Sequence, residues 1–389
     1  APQCFLSSCL FSPRSEHPAP WRVQLFSCFL REVTMASADE QHPENVHTGA
    51  PANKRRRTGD EEVTGLPTVK GKMNFGDGTH TERKEGREMD FPTEVSLSFH
   101  DGRADPSRFF LDDHGFQLVG VPSLAEVACG IDVYDPGAFV EHFYPVAEEV
   151  VRRQCHGATR AIAFDHIMRN KDRLRNENAE LTTTKPTKTP LLCGVLANVH
   201  GDYTARSGFF RAEQLLAPYV GGDMLKQAMD QRFAIVNLWI PFERVQVDPL
   251  GLCTWRSISP SHVCTNRMTF RHRVAETYKA SFSPEQRWVF FSDVQPTEAI
   301  LLKTFDSQND GNTSRFCIHS AFRPDDQDDE LPCRKSAEVR LLVFWGEDLE
   351  SLAGNFVPPH MRESTADDAD ELNGKALLKK ESIPNKDYW

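Results

Sequence analysis

Glu338-Val339-Arg340-Leu341-Leu342-Val343-Phe344-Trp345 carries the pattern that sets the fold class. It is a short apolar run rich in branched and aromatic residues, and similar runs lie upstream at residues 232–240, 288–291, 299–305 and 315–322. Runs of this kind read as strands. Turn-forming residues separate them at Pro249-Leu250-Gly251 and at residues 293–296, 306–311 and 324–332. The pattern predicts an antiparallel sandwich or barrel. A doubly wound parallel sheet is disfavoured, because its strands would alternate with long helices.

Working outward, Val95-Ser96-Leu97-Ser98-Phe99 alternates apolar and polar residues as a half-buried strand does. From Ala138 to Gln154, Phe139, Phe143, Val146, Ala147, Val150 and Val151 recur at spacings of three and four, which predicts an amphipathic flanking helix. Residues 174–190 are polar, Thr-rich and Pro-containing, and read as a surface loop. The expected organisation is a disordered amino-terminal segment over residues 1–91, one mainly β domain with flanking helices over 92–346, and a polar tail over 347–389. Met35 is read as the biological start, with residues 1–34 as upstream sequence translated ahead of it.

The chain has 389 residues, 45 Lys plus Arg against 56 Asp plus Glu, and a formal charge of -11, so a general nucleic-acid binder is disfavoured. No apolar stretch reaches the ~18 residues that a membrane-spanning helix needs. The ten cysteines form no Cys-x-x-Cys pair, so no structural zinc site is signalled and a reducing, cytoplasmic setting is the default. Lys54-Arg55-Arg56-Arg57 is a compact basic run that allows nuclear entry as an alternative, with a solvated charge cluster as its plain reading.

Asn198-Val199-His200-Gly201-Asp202-Tyr203-Thr204 places an imidazole and a carboxylate two residues apart. In an extended chain, such residues project to one face and can bind a single ion together. His319, inside the apolar run Phe316-Cys317-Ile318-His319-Ser320, would complete a set of two histidines and one carboxylate. Such a set suits non-haem Fe(II) and leaves positions open for a bidentate 2-oxo acid and dioxygen. The spacing alone is common in a chain with 14 His, and most single histidines are satisfied structural groups. His319 adds weight because a polar ring within an apolar strand must find a partner. A 2-oxo acid also brings a distal carboxylate, which a guanidinium can grip with two parallel hydrogen bonds. Arg340 is the first candidate, against an ion pair with Glu338 or another acid; Arg206 and Arg315 are reserves. The motifs of serine hydrolases, P-loop proteins, zincins and dinucleotide binders are missing.

The blocks 110–118, Phe164-Asp165-His166-Ile167-Met168-Arg169, 199–208, 232–241, Arg287-Trp288, 302–307, His319-Ser320-Ala321-Phe322 and Glu338-Val339-Arg340 together resemble the hydroxylase/desaturase family. That family includes the cephem methoxylase subunit CmcJ, AsaB-type fungal enzymes and gibberellin-desaturase-like proteins. The resemblance spans about residues 92–346. It implies a double-stranded β-helix, or jelly-roll, core of cupin type and an oxygenase dependent on Fe(II), 2-oxoglutarate and O2. The implied reaction is hydroxylation or desaturation of a small-molecule substrate, usually a secondary metabolite. The family's metal motif falls on His200, Asp202 and His319, and its Glu-Val-Arg strand on Arg340. Gly201 stands where members often have Asn, which leaves the ligands unchanged. A partner biosynthetic enzyme or a homo-oligomer fits such a protein, and a non-catalytic jelly-roll accessory subunit is the alternative function.

Overall fold

Burial on both faces explains the most apolar strand. Phe233–Pro241 is buried at all 9 positions because it runs through the middle of a six-stranded sheet with packing above and below. The computed structural model describes residues 59–84, 91–173, 192–193, 195–269 and 274–346. The spatial order of this sheet is Phe116–Gly120, Glu298–Asp306, Phe233–Pro241, Lys335–Phe344, Arg160–Asn170 and Leu192–Cys193. Neighbours are antiparallel except the last pair.

A second, ten-stranded sheet holds the short neighbours Trp288–Phe290, Leu250–Cys253, His319–Ala321 and His200–Gly201 in that order, continued by Val274–Ala280. The architecture is mainly β with helices on the outside, as the alternating runs predict. On the outer face of the six-stranded sheet, Ala161, Ala163, Val339 and Leu341 pack under Ala147 and Val151 of the helix Tyr144–Gln154. On the inner face, Trp239, Ile300 and Leu302 meet Leu250, Leu252 and Val289 of the other sheet. Each large apolar side chain buried this way contributes roughly 1.5–3 kcal/mol, so the two faces together hold the sheets at a fixed separation. The helix Ala205–Leu216 closes one end, with Ala212, Leu215 and Leu216 on Phe233, Ile235, Phe305 and Leu342.

Two β-bulges interrupt the six-stranded sheet. One leaves Phe164 unpaired between Asp165 and Ala163, opposite Arg340 and Leu341. The other leaves Thr304 unpaired between Lys303 and Phe305, opposite Val236 and Ile235. A bulge bends its strand and re-aims the neighbouring side chains, and both flank the site described below.

Several expectations change in detail. The predicted helix over 138–154 is the short turn Pro136–Ala138, a π-helical turn Phe139–Phe143 and then the α-helix Tyr144–Gln154. Pro145 supplies the reason, since it has no N–H to give to the preceding turn. Of the run 315–322 only His319–Ala321 is a strand. The residues before it cross from sheet to sheet, with the Cys317 N–H donating to the Lys303 carbonyl at 2.8 Å.

The expectation that residues 1–91 are disordered is corrected for its last third. Helix Gly59–Val63 is formed, and strand Thr68–Phe75 pairs with Thr93–Asp101 along its whole length. Gly71, Met73 and Phe75 point inward while Lys70 and Lys72 point out. This is a true period of two, hidden by the polar composition around it. Residues 1–58, the loop 174–190 and the tail 347–389 lie outside the described residues, and with them the readings made of Met35 and Lys54–Arg57.

Candidate metal centre

The ladder itself brings the two histidines together. His200 begins a two-residue strand, His200–Gly201, that pairs on one side with Tyr278 and Lys279 and on the other with His319, which stands directly opposite His200. Directly opposed residues of an antiparallel pair project to the same face. Asp202, two residues on from His200, joins them there. The chain then turns into the helix Ala205–Leu216, whose first turn is closed by a capping box between Thr204 and Ser207. The buried Glu276 carboxylate accepts from the Thr204 hydroxyl at 2.8 Å and from Arg206 at 3.0 Å. Asp202 is thus pinned between a strand pair and a capped helix start.

His200 Nε2 lies 3.4 Å and His319 Nε2 3.9 Å from Asp202 Oδ1. The three donor atoms all fall within 4.8 Å of one another. The other ring nitrogens are engaged in the same way on both strands. His200 Nδ1–H donates to the Asn198 carbonyl at 2.7 Å, and His319 Nδ1–H to the Cys317 carbonyl at 3.2 Å. A carbonyl oxygen can only accept, so each Nδ1 carries a hydrogen, and in the neutral ring Nε2 then holds the lone pair.

The surroundings of His319 agree with that assignment. Burial, and then the neighbouring His200, bring the His319 imidazole down to about 4, which leaves it neutral at pH 7. Burial alone would raise the Asp202 carboxyl, but the imidazoles and the Arg340 guanidinium outweigh it and hold it below the usual carboxylate range. Two imidazoles and one carboxylate are the donor set that a divalent iron takes, with the remaining positions left open. The residues present fit the metal.

The sequence-predicted Arg340 sits beside this centre, but carboxylates already hold it. It donates to Asp165 at 3.0 Å and to Glu338 at 3.1 Å, and its Nε lies 3.7 Å from Asp202 Oδ2. These acids raise its pKa well above the ordinary value despite burial, which alone would lower it. The reserves are also engaged: Arg206 pairs with Glu276, and Arg315 donates twice to the Asp306 carbonyl.

A different arginine was missed by sequence reasoning. Arg334 is 5 % exposed, its guanidinium lies 5.3 Å over the Trp239 ring on the inner face, and its Nε has no hydrogen-bond partner. Among the described residues no carboxylate forms an ion pair with it. Burial, and then the like charge of Arg169, disfavour its cation, and Arg169 also acts on His319. The hydroxyl of Ser336, two residues along the same strand direction, is buried and without a partner as well. A buried cation and a buried hydroxyl with spare donors are costly unless an anion completes them. The signal in the sequence was Arg334-Lys335-Ser336 at a strand entrance, an i, i+2 pair that a period of two puts on one face. Asn237, which donates to Asp202, carried no signal at all.

Residues 69–344 match the family described as the oxidoreductase/YMDC permease-like domain. The chain belongs to this family. Among its members' relatives, the hydroxylase/desaturase efuI of Hormonema carpetanum is 26 % identical over 308 residues, which cover 73 % of this chain and 97 % of that protein. The Fe(II)/2-oxoglutarate-dependent dioxygenase nvfI of Aspergillus novofumigatus is 26 % identical over 258 residues, covering 65 % and 84 %. The solved structure of an iron and alpha-ketoglutarate-dependent endoperoxidase, NvfI, superimposes with a TM-score of 0.58 at 23 % identity, over 72 % of this chain and 99 % of that one. This likeness shows the fold, a jelly roll, in agreement with the double-stranded β-helix that the resemblance implied. No helix among the described residues is long and apolar enough to cross a membrane.

Proposed function

We propose that this protein is an Fe(II)- and 2-oxoglutarate-dependent oxygenase that hydroxylates or desaturates a small organic molecule of secondary metabolism. The observation that carries this reading is the convergence of His200 Nε2, His319 Nε2 and Asp202 Oδ1 within 4.8 Å, in a chain whose relatives include a hydroxylase/desaturase and an Fe(II)/2-oxoglutarate-dependent dioxygenase. In this reading His200, Asp202 and His319 hold the iron. Fe(II), with 2-oxoglutarate and O2, supplies the oxidising power to attack a C–H bond. The protein's own part is to fix, orient and shield.

The Nδ1–H bonds to Asn198 and Cys317 hold both rings in the ligating tautomer. Arg334 and Ser336 take the distal carboxylate of 2-oxoglutarate, because the buried Arg334 Nε and Ser336 hydroxyl have no partner and no carboxylate pairs with Arg334 among the described residues, whereas Arg340, whose Nε is also without a hydrogen bond, is held by Asp165 and Glu338. Arg340, which the sequence singled out for that task, instead neutralises the acids around Asp202. Trp239, under the Arg334 guanidinium, keeps water from the pair. The test is anaerobic addition of Fe(II) and 2-oxoglutarate to the purified protein, followed by admission of air. A metal-to-ligand absorption band and then succinate release are expected; a protein that shows neither is not this enzyme.

A further inference from the structure

The two oxygens of Asp202 have different surroundings. Oδ1 faces both imidazoles at 3.4 Å and 3.9 Å. Oδ2 accepts a hydrogen bond from Asn237 Nδ2 at 2.8 Å and lies 3.7 Å from Arg340 Nε. Asn237 is wholly buried in the central strand Phe233–Pro241. Its own amide oxygen accepts from the Thr304 hydroxyl at 3.5 Å, which shares its one hydrogen with the Ile235 carbonyl at 3.1 Å. Thr304 is the residue that the bulge between Lys303 and Phe305 leaves unpaired, so the bulge is what turns its hydroxyl toward Asn237. The amide has one sensible orientation here. Rotated by half a turn it would set its oxygen against a carboxylate oxygen, two acceptors with no proton between them.

From this geometry we infer that Asn237 is a positioning residue that restricts Asp202 to binding a metal through one oxygen. A carboxylate free to rotate can close on a cation with both oxygens, and that would occupy a position that 2-oxoglutarate or dioxygen needs. The Asn237 amide ties Oδ2 down on the far side, Thr304 orients the amide, and Arg340, itself held by Asp165 and Glu338, adds its charge from the same side. Nothing in the motif His-x-Asp specifies this. It arises from a strand 35 residues further on.

The inference rests on reading the triad as the iron site, and the experiment separates the two. The full-length wild type, Asn237→Leu and Thr304→Val are titrated anaerobically with Fe(II) at saturating 2-oxoglutarate, reading the affinity and the absorption band of the iron-saturated protein. Thermal unfolding of the metal-free proteins is measured in parallel. Leu keeps the branching of Asn at Cγ but has no donor, so Asn237→Leu should bind Fe(II) about 10–100-fold more weakly and with a displaced band. Thr304→Val should show the same displacement with a loss of a few-fold. A purely structural role would lower the metal-free melting temperature and leave the band of the saturated variant unchanged, and that result overturns the inference. Wild-type affinity and band in Asn237→Leu overturns it too; should that variant fail to fold, the same result in Thr304→Val does so. A wild type that binds no Fe(II) removes the metal reading itself.

Discussion

His200 and His319 stand face to face across one rung of an antiparallel ladder, with ring centroids 4.5 Å apart. Each ring is fixed by the carbonyl two residues before it, so the pair is oriented before any metal arrives. The binding free energy then need not be spent on ordering the rings.

His200→Ala, Asp202→Ala and His319→Ala should each lose Fe(II) binding by at least about a hundredfold, beyond the 10–100-fold typical of residues that only support a ligand. Circular dichroism should remain that of the parent, because the ladder bonds are made by the backbone. Equilibrium dialysis against Fe(II) checks this. Undiminished binding by His319→Ala would remove the second histidine from the site.

Arg334→Ala should raise the KM for 2-oxoglutarate about ten- to a hundredfold, and Ser336→Ala by less, since a hydrogen bond to a charged group is worth about 1.5–3 kcal/mol. Arg340→Ala should act differently. It leaves Asp165, Glu338 and Asp202 without their shared cation, and breaking a buried pair costs about 3–5 kcal/mol of stability. If Arg340→Ala stays stable and raises that KM while Arg334→Ala does nothing, the roles of the two arginines must be exchanged.

Gly208→Ala should loosen the helix that follows Asp202. A Cβ at this position would run into the Phe305 ring, well inside contact distance. Overpacking of this kind costs about 1–3 kcal/mol. Phe305→Leu in the same chain should recover part of the loss, and a denaturation cycle over the four proteins measures the coupling. Strict additivity would show that the helix seats elsewhere.

Glu62 gives a pH dependence. It is 3 % exposed, and burial pushes its carboxyl above 4.5, although Arg256 pulls it down. A carboxyl raised in the folded state holds its proton better there than in the unfolded chain. Its contribution to stability is therefore full below 4.5 and is lost as pH rises through the raised value. The stability of wild type relative to Glu62→Gln should fall as pH rises from 4.5 through the raised value in urea melts. A difference that grows with pH would show that the Arg256 bond at 2.9 Å outweighs burial.

The sheet class was legible in the sequence because strand patterning is local. Residues 232–240 and 338–345 needed no partner to be read, and Phe233–Pro241 and Lys335–Phe344 are the strands they became. Thr68–Phe75 escaped because its lysines, which point outward, outweigh its alternation when composition is averaged. His200, Asp202 and His319 were found because an i, i+2 pair and a histidine in an apolar run are both local signs. What remained hidden was which partner each polar side chain meets. Arg340 meets Asp165 from 175 residues away, Asn237 meets Asp202 from 35, and Arg334 is left with open donors. By itself the sequence determined the strands and the residue types able to hold a metal, since periodicity and side-chain chemistry are written residue by residue. The tertiary structure decided which oxygen of Asp202 faces the imidazoles and which arginine lacks a carboxylate partner, because both depend on strand order and on two bulges that bring remote side chains to one face.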